Sequence, residues 1–331
     1  MVFGTLAVLL AALADFGDRQ GAPRPLPDFE REHDLCIIVY VSGKPPYDDR
    51  ARAVLESWAD ESTYFLTNET EPFASGFRFR PKMNIEGHTI RIPAHQSGYE
   101  YLAEKTLFLF RHLYEARQLR PAGRSRGQKR LLCKWYMKVD DDTFVNVAGV
   151  KQRLACFDSA RPLLLGSIFN VEERGVDVDF AQGGTGYILS RGALEAIGPY
   201  LSSCAAAIRR VRKRRPSDEL MEDVELTRCV RERIHVNPMR LGSFFRDFVS
   251  HDSFSDMKRT LARTQAAPNA TCALTWHKVS ASQMRYISRQ LAKPSDGRSR
   301  NHPSCELERA NKEDYGRAWH HLATCKSMRI V

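Results

Sequence analysis

The stretch Lys134 to Asn146, KWYMKVDDDTFVN, limits what this chain can fold into more than any other. Trp135, Tyr136, Met137 and Val139 form a short apolar run that ends in three consecutive acids, Asp140, Asp141 and Asp142, before the chain returns to Phe144 and Val145. Aromatic and β-branched residues in such a run predict a buried strand. Three carboxylates at its end repel one another and lose hydration. A divalent cation is the simplest compensation, because Mg²⁺ and Mn²⁺ take oxygen ligands. Side chains alternate along a strand, so Asp140 and Asp142 can converge on one point while Asp141 faces elsewhere. The plainer alternative is a solvated acidic turn in which Asp142 caps the next helix.

The chain before this stretch predicts strand, helix, strand, strand, helix. Asp34 to Ser42 (DLCIIVYVS) is a buried strand, and Arg50 to Asp60 has helical spacing with Ala53, Val54 and Trp58 on one side. Ser62 to Thr67 and Thr89 to Pro93 predict short strands, and Ser97 to Gln118 a long amphipathic helix. With the acid-tipped strand following, this order argues an α/β domain with a mainly parallel sheet flanked by helices. Such sheets bind ligands at the carboxyl ends of their strands. No GxGxxG follows the first strand, which disfavours a dinucleotide fold.

Beyond the acids, Val147 to Phe157 predicts a helix and Pro162 to Ile168 a strand. Phe180 to Ile197 carries Gly183-Gly184-Thr185-Gly186, which permits a tight bend or a close backbone approach to a ligand, then a short strand and a helix starting near Ser190. Glu222 and Asp223 open a helix, where the dipole favours acids, and Asp223 can equally serve as a general base. Ala273 to Val279 is a strand bearing His277, and Ser282 to Leu291 a helix. His277 and His251 are both candidate metal ligands on residue type alone.

Charge and cysteine usage narrow the compartment and the partners. The 331 residues carry a formal charge of +10, but it is scattered apart from Arg209 to Arg215 (RRVRKRR), which predicts a solvated loop. No zinc-finger or RNP pattern accompanies it, so nucleic acid is not an expected partner. The eight cysteines include no CxxC pair, and their even number fits disulfides whose pairing the spacing leaves open. Sequons at Asn68 and Asn269 point the same way, to an oxidising secretory lumen. Residues 1–14 resemble a signal-peptide core or a shortened signal-anchor, and 15–33 a stem rich in Pro, Gly and charge. A catalytic domain over 34–292 and a polar tail over 293–331 complete the expected organisation.

Four segments in order, RARAVLESWA, KWYMKVDDDTFVN, GGTGYILSRGALEAI and MEDVELTRC, resemble the inverting β1,3-glycosyltransferases of glycosyltransferase family 31. The core 1 β1,3-galactosyltransferases and Fringe proteins are the members most resembled, and TWHKVS resembles a core 1 strand. The resemblance implies a GT-A fold, a UDP-sugar donor, Mn²⁺, a glycan or glycoprotein acceptor and a Golgi setting, with a membrane anchor and a homodimer as further expectations. It places metal ligation on Asp140, Asp142 and His277, with His251 as runner-up. Donor contacts fall on Asp140, Asp141, Gly183, Gly184 and Arg50, and the base is Asp223. It also implies a Cys204–Cys229 disulfide. The expected reaction moves a hexose, galactose first, to the 3-hydroxyl of an acceptor such as O-linked GalNAc. A Fringe-like N-acetylglucosaminyltransferase and a non-catalytic, transferase-like chaperone are the alternatives. Intact Asp140 to Asp142 and Asp223 argue against the chaperone, which needs neither.

Overall fold

The computed structural model describes residues 32–41, 47–68, 88–92, 101–118, 131–173, 175–215, 220–241, 245–247 and 274–291. The chain divides into two units, Met1–Arg31 and Glu32–Val331, and all of these residues lie in the second. The expected leader, most of the expected stem, Asn269, His251 and the expected tail lie outside them. Among the described residues no helix is long and apolar enough to cross a membrane.

Strand β1 (His33–Tyr40) shows how the sheet is built. Leu35, Ile37 and Val39 face one side, and Cys36, Ile38 and Tyr40 the other, and every one of them is buried. A strand buried on both faces reads as a continuous apolar run, because helices must cover both sides. Helix α1 (Tyr47–Ser57) packs Ala51, Val54 and Leu55 on the first face. After β2 (Thr63–Asn68) and β3 (Thr89–Ile92), α2 (Leu102–Gln118) sets Leu107, Phe110 and Leu113 on the second.

Strand β4 (Cys133–Asp140) lies beside β1 in parallel, with Tyr40 opposite Asp140 at the shared carboxyl edge. β5 (Phe144–Val145) and α3 (Val147–Leu154) follow, then β6 (Leu164–Gly166) and a hairpin of β7 (Ile168–Glu173) and β8 (Val176–Ala181). β9 (Tyr187–Ser190) leads into α4 (Arg191–Ile197), whose first turn is capped by the Ser190 hydroxyl accepting from the Ala193 N–H. With β10 (Met239–Arg240) at one edge, the seven-stranded order is β10-β6-β9-β4-β1-β2-β3. Only β9 runs antiparallel to its neighbours.

The basic run Arg209 to Arg215 is not a loop. It forms the end of α5 (Leu201–Arg214), which buries Leu201, Cys204 and Ile208. Those apolar positions recur at helical spacing, and Arg212 joins them by pairing bidentately with Glu104 at 3.0 and 2.8 Å. The remaining cations of the run face solvent. A disulfide joins Cys204 to Cys229 on α6 (Glu222–Ile234), and a second, Cys36–Cys133, ties β1 to β4.

Candidate active site

The acids at the tip of β4 do not share one direction. Asp141 is 7% exposed and turned inward, where its Oδ1 accepts from Arg50 Nη1 at 3.4 Å. Burial pushes its carboxyl up to about 7, against the pull of the Arg50 charge. Arg50 sits on the first turns of α1 and also reaches Asp142 Oδ2 at 3.4 Å. Asp140 ends the strand and Asp142 lies in the turn after it, and each brings a carboxylate oxygen toward His277.

A second, three-stranded sheet brings the histidine to them. β12 (Thr275–His277) lies between β11 (Phe245–Asp247) and β5, with Thr275 opposite Val145 and Trp276 opposite Phe144. The Val279 N–H then donates to the Asp142 carbonyl at 2.9 Å, which fixes the register. The His277 ring is therefore delivered beside Asp142, with Nε2 3.5 Å from Oδ1. One ligand atom each from Asp140, Asp142 and His277 lie within 4.8 Å of one another.

This group fits a divalent cation on a point of its own geometry. Asp142 Oδ1 is buried and makes no hydrogen bond, and burial pushes the Asp142 carboxyl upward, with Asp140 adding to the shift. An unsatisfied buried carboxylate oxygen is costly. A cation would satisfy it, and two carboxylates with one imidazole suit Mn²⁺ or a similar metal.

The glycine turn between β8 and β9 faces the same cluster. A Cβ on Gly184 would fall inside the His277 ring, so only glycine lets the backbone come this close. The Gly184 carbonyl accepts from Thr143 Oγ1 at 2.7 Å, locking the turn to the acid loop. Gly184→Ala is expected to displace His277 and weaken divalent-cation binding by about 10- to 100-fold, the usual range when a metal ligand loses its support. Titration calorimetry of the variant against the wild type checks this.

On the opposite side of the turn, the Gly183 N–H donates to Asp223 Oδ2 at 2.7 Å, and the Val224 N–H to Oδ1 at 2.9 Å. Each oxygen keeps a lone pair for a further donor. Asp223 is half-buried on the first turn of α6. Burial raises its carboxyl above the ordinary aspartate range, partly offset by the Gly183 N–H and the Lys138 charge. The structure thus gathers Asp140, Asp142, His277, Gly183, Gly184 and Asp223 around one glycine turn, with Arg50 beside Asp142. It also joins Lys138 to Glu222, a buried pair that sequence reasoning missed. The available signal was a charged residue in the apolar run two positions before Asp140, on its face of the strand.

A family model described as Fringe-like matches residues 33–293. The chain belongs to the Fringe-like family. Fringe-like proteins are glycosyltransferases, and the mainly parallel sheet with helices on both faces is their GT-A fold. Chondroitin sulfate synthase 3 of Homo sapiens is 32% identical over 105 residues, 30% of this chain and 11% of that protein. Beta-1,3-glucosyltransferase of Mus musculus is 31% identical over 70 residues, 21% of this chain and 14% of that protein. The matches therefore span a small part of either relative. Among solved structures, the apo-form glycosyltransferase GlyE of Streptococcus pneumoniae TIGR4 overlaps 80% of this Fringe-like chain and 61% of its own, at 9% identity and a TM-score of 0.39.

Proposed function

We propose that the protein is a Mn²⁺-dependent inverting glycosyltransferase that moves a hexose from a UDP-sugar to the 3-hydroxyl of a glycan acceptor, forming a β1,3 linkage. One observation carries this reading: a turn whose first glycine N–H is bonded to Asp223 abuts, through its second glycine, the His277 of an Asp-Asp-His group. A cation-ligand set and a candidate base thus flank one glycine turn, as a single displacement requires.

Asp140, Asp142 and His277 would hold the cation. When bound, it supplies positive charge that offsets the charge growing on a departing diphosphate. Arg50, held by Asp141, is placed to add its own charge to the diphosphate, so Asp141 acts through Arg50. Gly183 and Gly184 offer a face without side chains to the donor sugar. Asp223 accepts the proton of the incoming acceptor hydroxyl, whose oxygen attacks the anomeric carbon from the face opposite the nucleotide. An α-linked donor then gives a β product. Galactose on O-linked GalNAc is the first pair to test. The mouse relative's name favours glucose as second donor, and N-acetylglucosamine is the third. The two disulfides and the sequon at Asn68 support a setting in the secretory lumen, with the Golgi as the compartment proposed.

Because burial raises Asp223, the acid limb of kcat/KM is expected above the ordinary carboxylate range. Activity should fall by about tenfold per pH unit below that pKa, as the base becomes protonated. A pH profile of sugar transfer at saturating Mn²⁺ checks it. The function itself is tested by UDP release from each UDP-sugar, with and without Mn²⁺ and with GalNAc-peptide. Release that needs both Mn²⁺ and the acceptor supports the reading. No release from any donor would remove it and favour the transferase-like chaperone.

A further inference from the structure

Lys138 carries a charge among the buried apolar residues Trp135, Tyr136, Met137 and Val139 of β4. It is 1% exposed, and the reaction described above makes no direct use of it. Its Nζ donates to Asp140 Oδ1 at 2.7 Å and to Glu222 Oε1 at 2.6 Å, and lies 3.5 Å from the Gly183 carbonyl oxygen. An ammonium has three donors, and these three acceptors account for them. The Tyr40 ring lies beneath the charge, 4.8 Å from Nζ to its centroid. Glu222 is held in turn by the Tyr187 hydroxyl, which donates to Oε2 at 2.9 Å, and by Thr106 Oγ1 at 3.2 Å.

Every acceptor of this lysine belongs to one half of the site or the other. Asp140 is in the cation-ligand group. The Gly183 carbonyl belongs to the residue whose N–H holds Asp223, and Glu222 precedes Asp223 on the first turn of α6. A buried ion pair is weak evidence for stability, since apolar residues of equal volume often do as well or better. What such residues cannot do is hold two carboxylates and a carbonyl at fixed places around one point.

We propose that Lys138 is a positioning residue that couples the two halves of the site, aiming Asp140 at the cation and fixing the turn and helix end that carry Asp223. The inference rests on the cation and base assignments proposed above. Its consequence is that loss of the Lys138 charge lowers cation affinity and, independently, the rate at saturating cation.

The test compares the wild type with Lys138→Met and with Lys138→Met/Glu222→Gln. The single variant strands the Glu222 carboxylate and can fail to fold. The double variant removes both charges and keeps an amide for Tyr187 and Thr106. Mn²⁺ binding in the presence of UDP is read from the EPR signal of free Mn²⁺, which needs no turnover, and kcat is read at saturating Mn²⁺. The double variant is expected to melt near the wild-type temperature and to bind Mn²⁺ about 10- to 100-fold more weakly. Its kcat should stay at least about tenfold low after saturation, without a matching rise in the acceptor KM. Wild-type affinity and kcat in a folded double variant would overturn the inference. So would a kcat fully restored by excess Mn²⁺, which would confine Lys138 to Asp140, and so would a double variant that does not fold, which would make the pair purely structural. A wild type that binds no Mn²⁺ with UDP would overturn the cation assignment and this inference together.

Discussion

Asp223→Asn is expected to lower kcat for sugar transfer by about 10²- to 10⁴-fold, the range that a positioned general base supplies. UDP-sugar binding should stay within about twofold of wild type, because Asp223 lies across the glycine turn from the cation-ligand group. The substitution is gentle in structure. An amide oxygen can keep the hydrogen bond from the Gly183 N–H at the expense of the local one from the Val224 N–H, so the turn should hold. What is lost is the proton acceptor that the proposed mechanism requires. Transfer kinetics beside calorimetric donor binding separate the two effects. Unchanged kcat would remove Asp223 from the chemistry.

The second large effect belongs to Asp142. Asp142→Ala is expected to reduce Mn²⁺-dependent turnover by at least about a thousandfold, corresponding to the several kcal/mol a metal contributes by stabilising developing charge. The cation-free variant should nonetheless melt no lower than the wild type. The residue is a half-buried acid beside another acid, with one oxygen lacking a hydrogen-bond partner, so its removal relieves an unfavourable arrangement that Arg50 only partly offsets. Wild-type protein should gain thermal stability with Mn²⁺ and UDP, about 2.7 kcal/mol at a hundred times Kd, and the variant should not. Thermal melts with Mn²⁺ or EDTA, set beside turnover, check both parts. Full turnover in the variant would dismiss Asp142 as a ligand.

What could be read from the sequence was whatever local pattern determines. The doubly buried run of β1, the helical stripe of α2 and the serine before α4 each follow from residue spacing, and the structure has them there. Strand alternation led to the expectation that Asp140 and Asp142 group together; they do, but Asp142 sits in the turn beyond β4, so the turn and not the pleat sets its direction. The histidine was not decidable locally. His277 reaches Asp142 only because β12 pairs with β5, more than a hundred residues earlier in the chain, and no periodicity encodes such pairing. His251 lies outside the described residues. The Lys138–Glu222 pair is hidden for the same reason, since its members meet across 84 residues. The basic run was misjudged differently. Its polarity suggested solvent, but one apolar stripe at helical spacing, Leu201, Cys204 and Ile208, was enough to seat a helix.

Crystals soaked with MnCl₂ and UDP, with diffraction recorded near the manganese absorption edge, test the central claim most directly. The account predicts one anomalous peak within bonding distance of Asp140, Asp142 and His277 Nε2, on the His277 side of the Gly183-Gly184 turn. A peak held by other residues, His251 among them, or no peak at all with UDP in place, would contradict it.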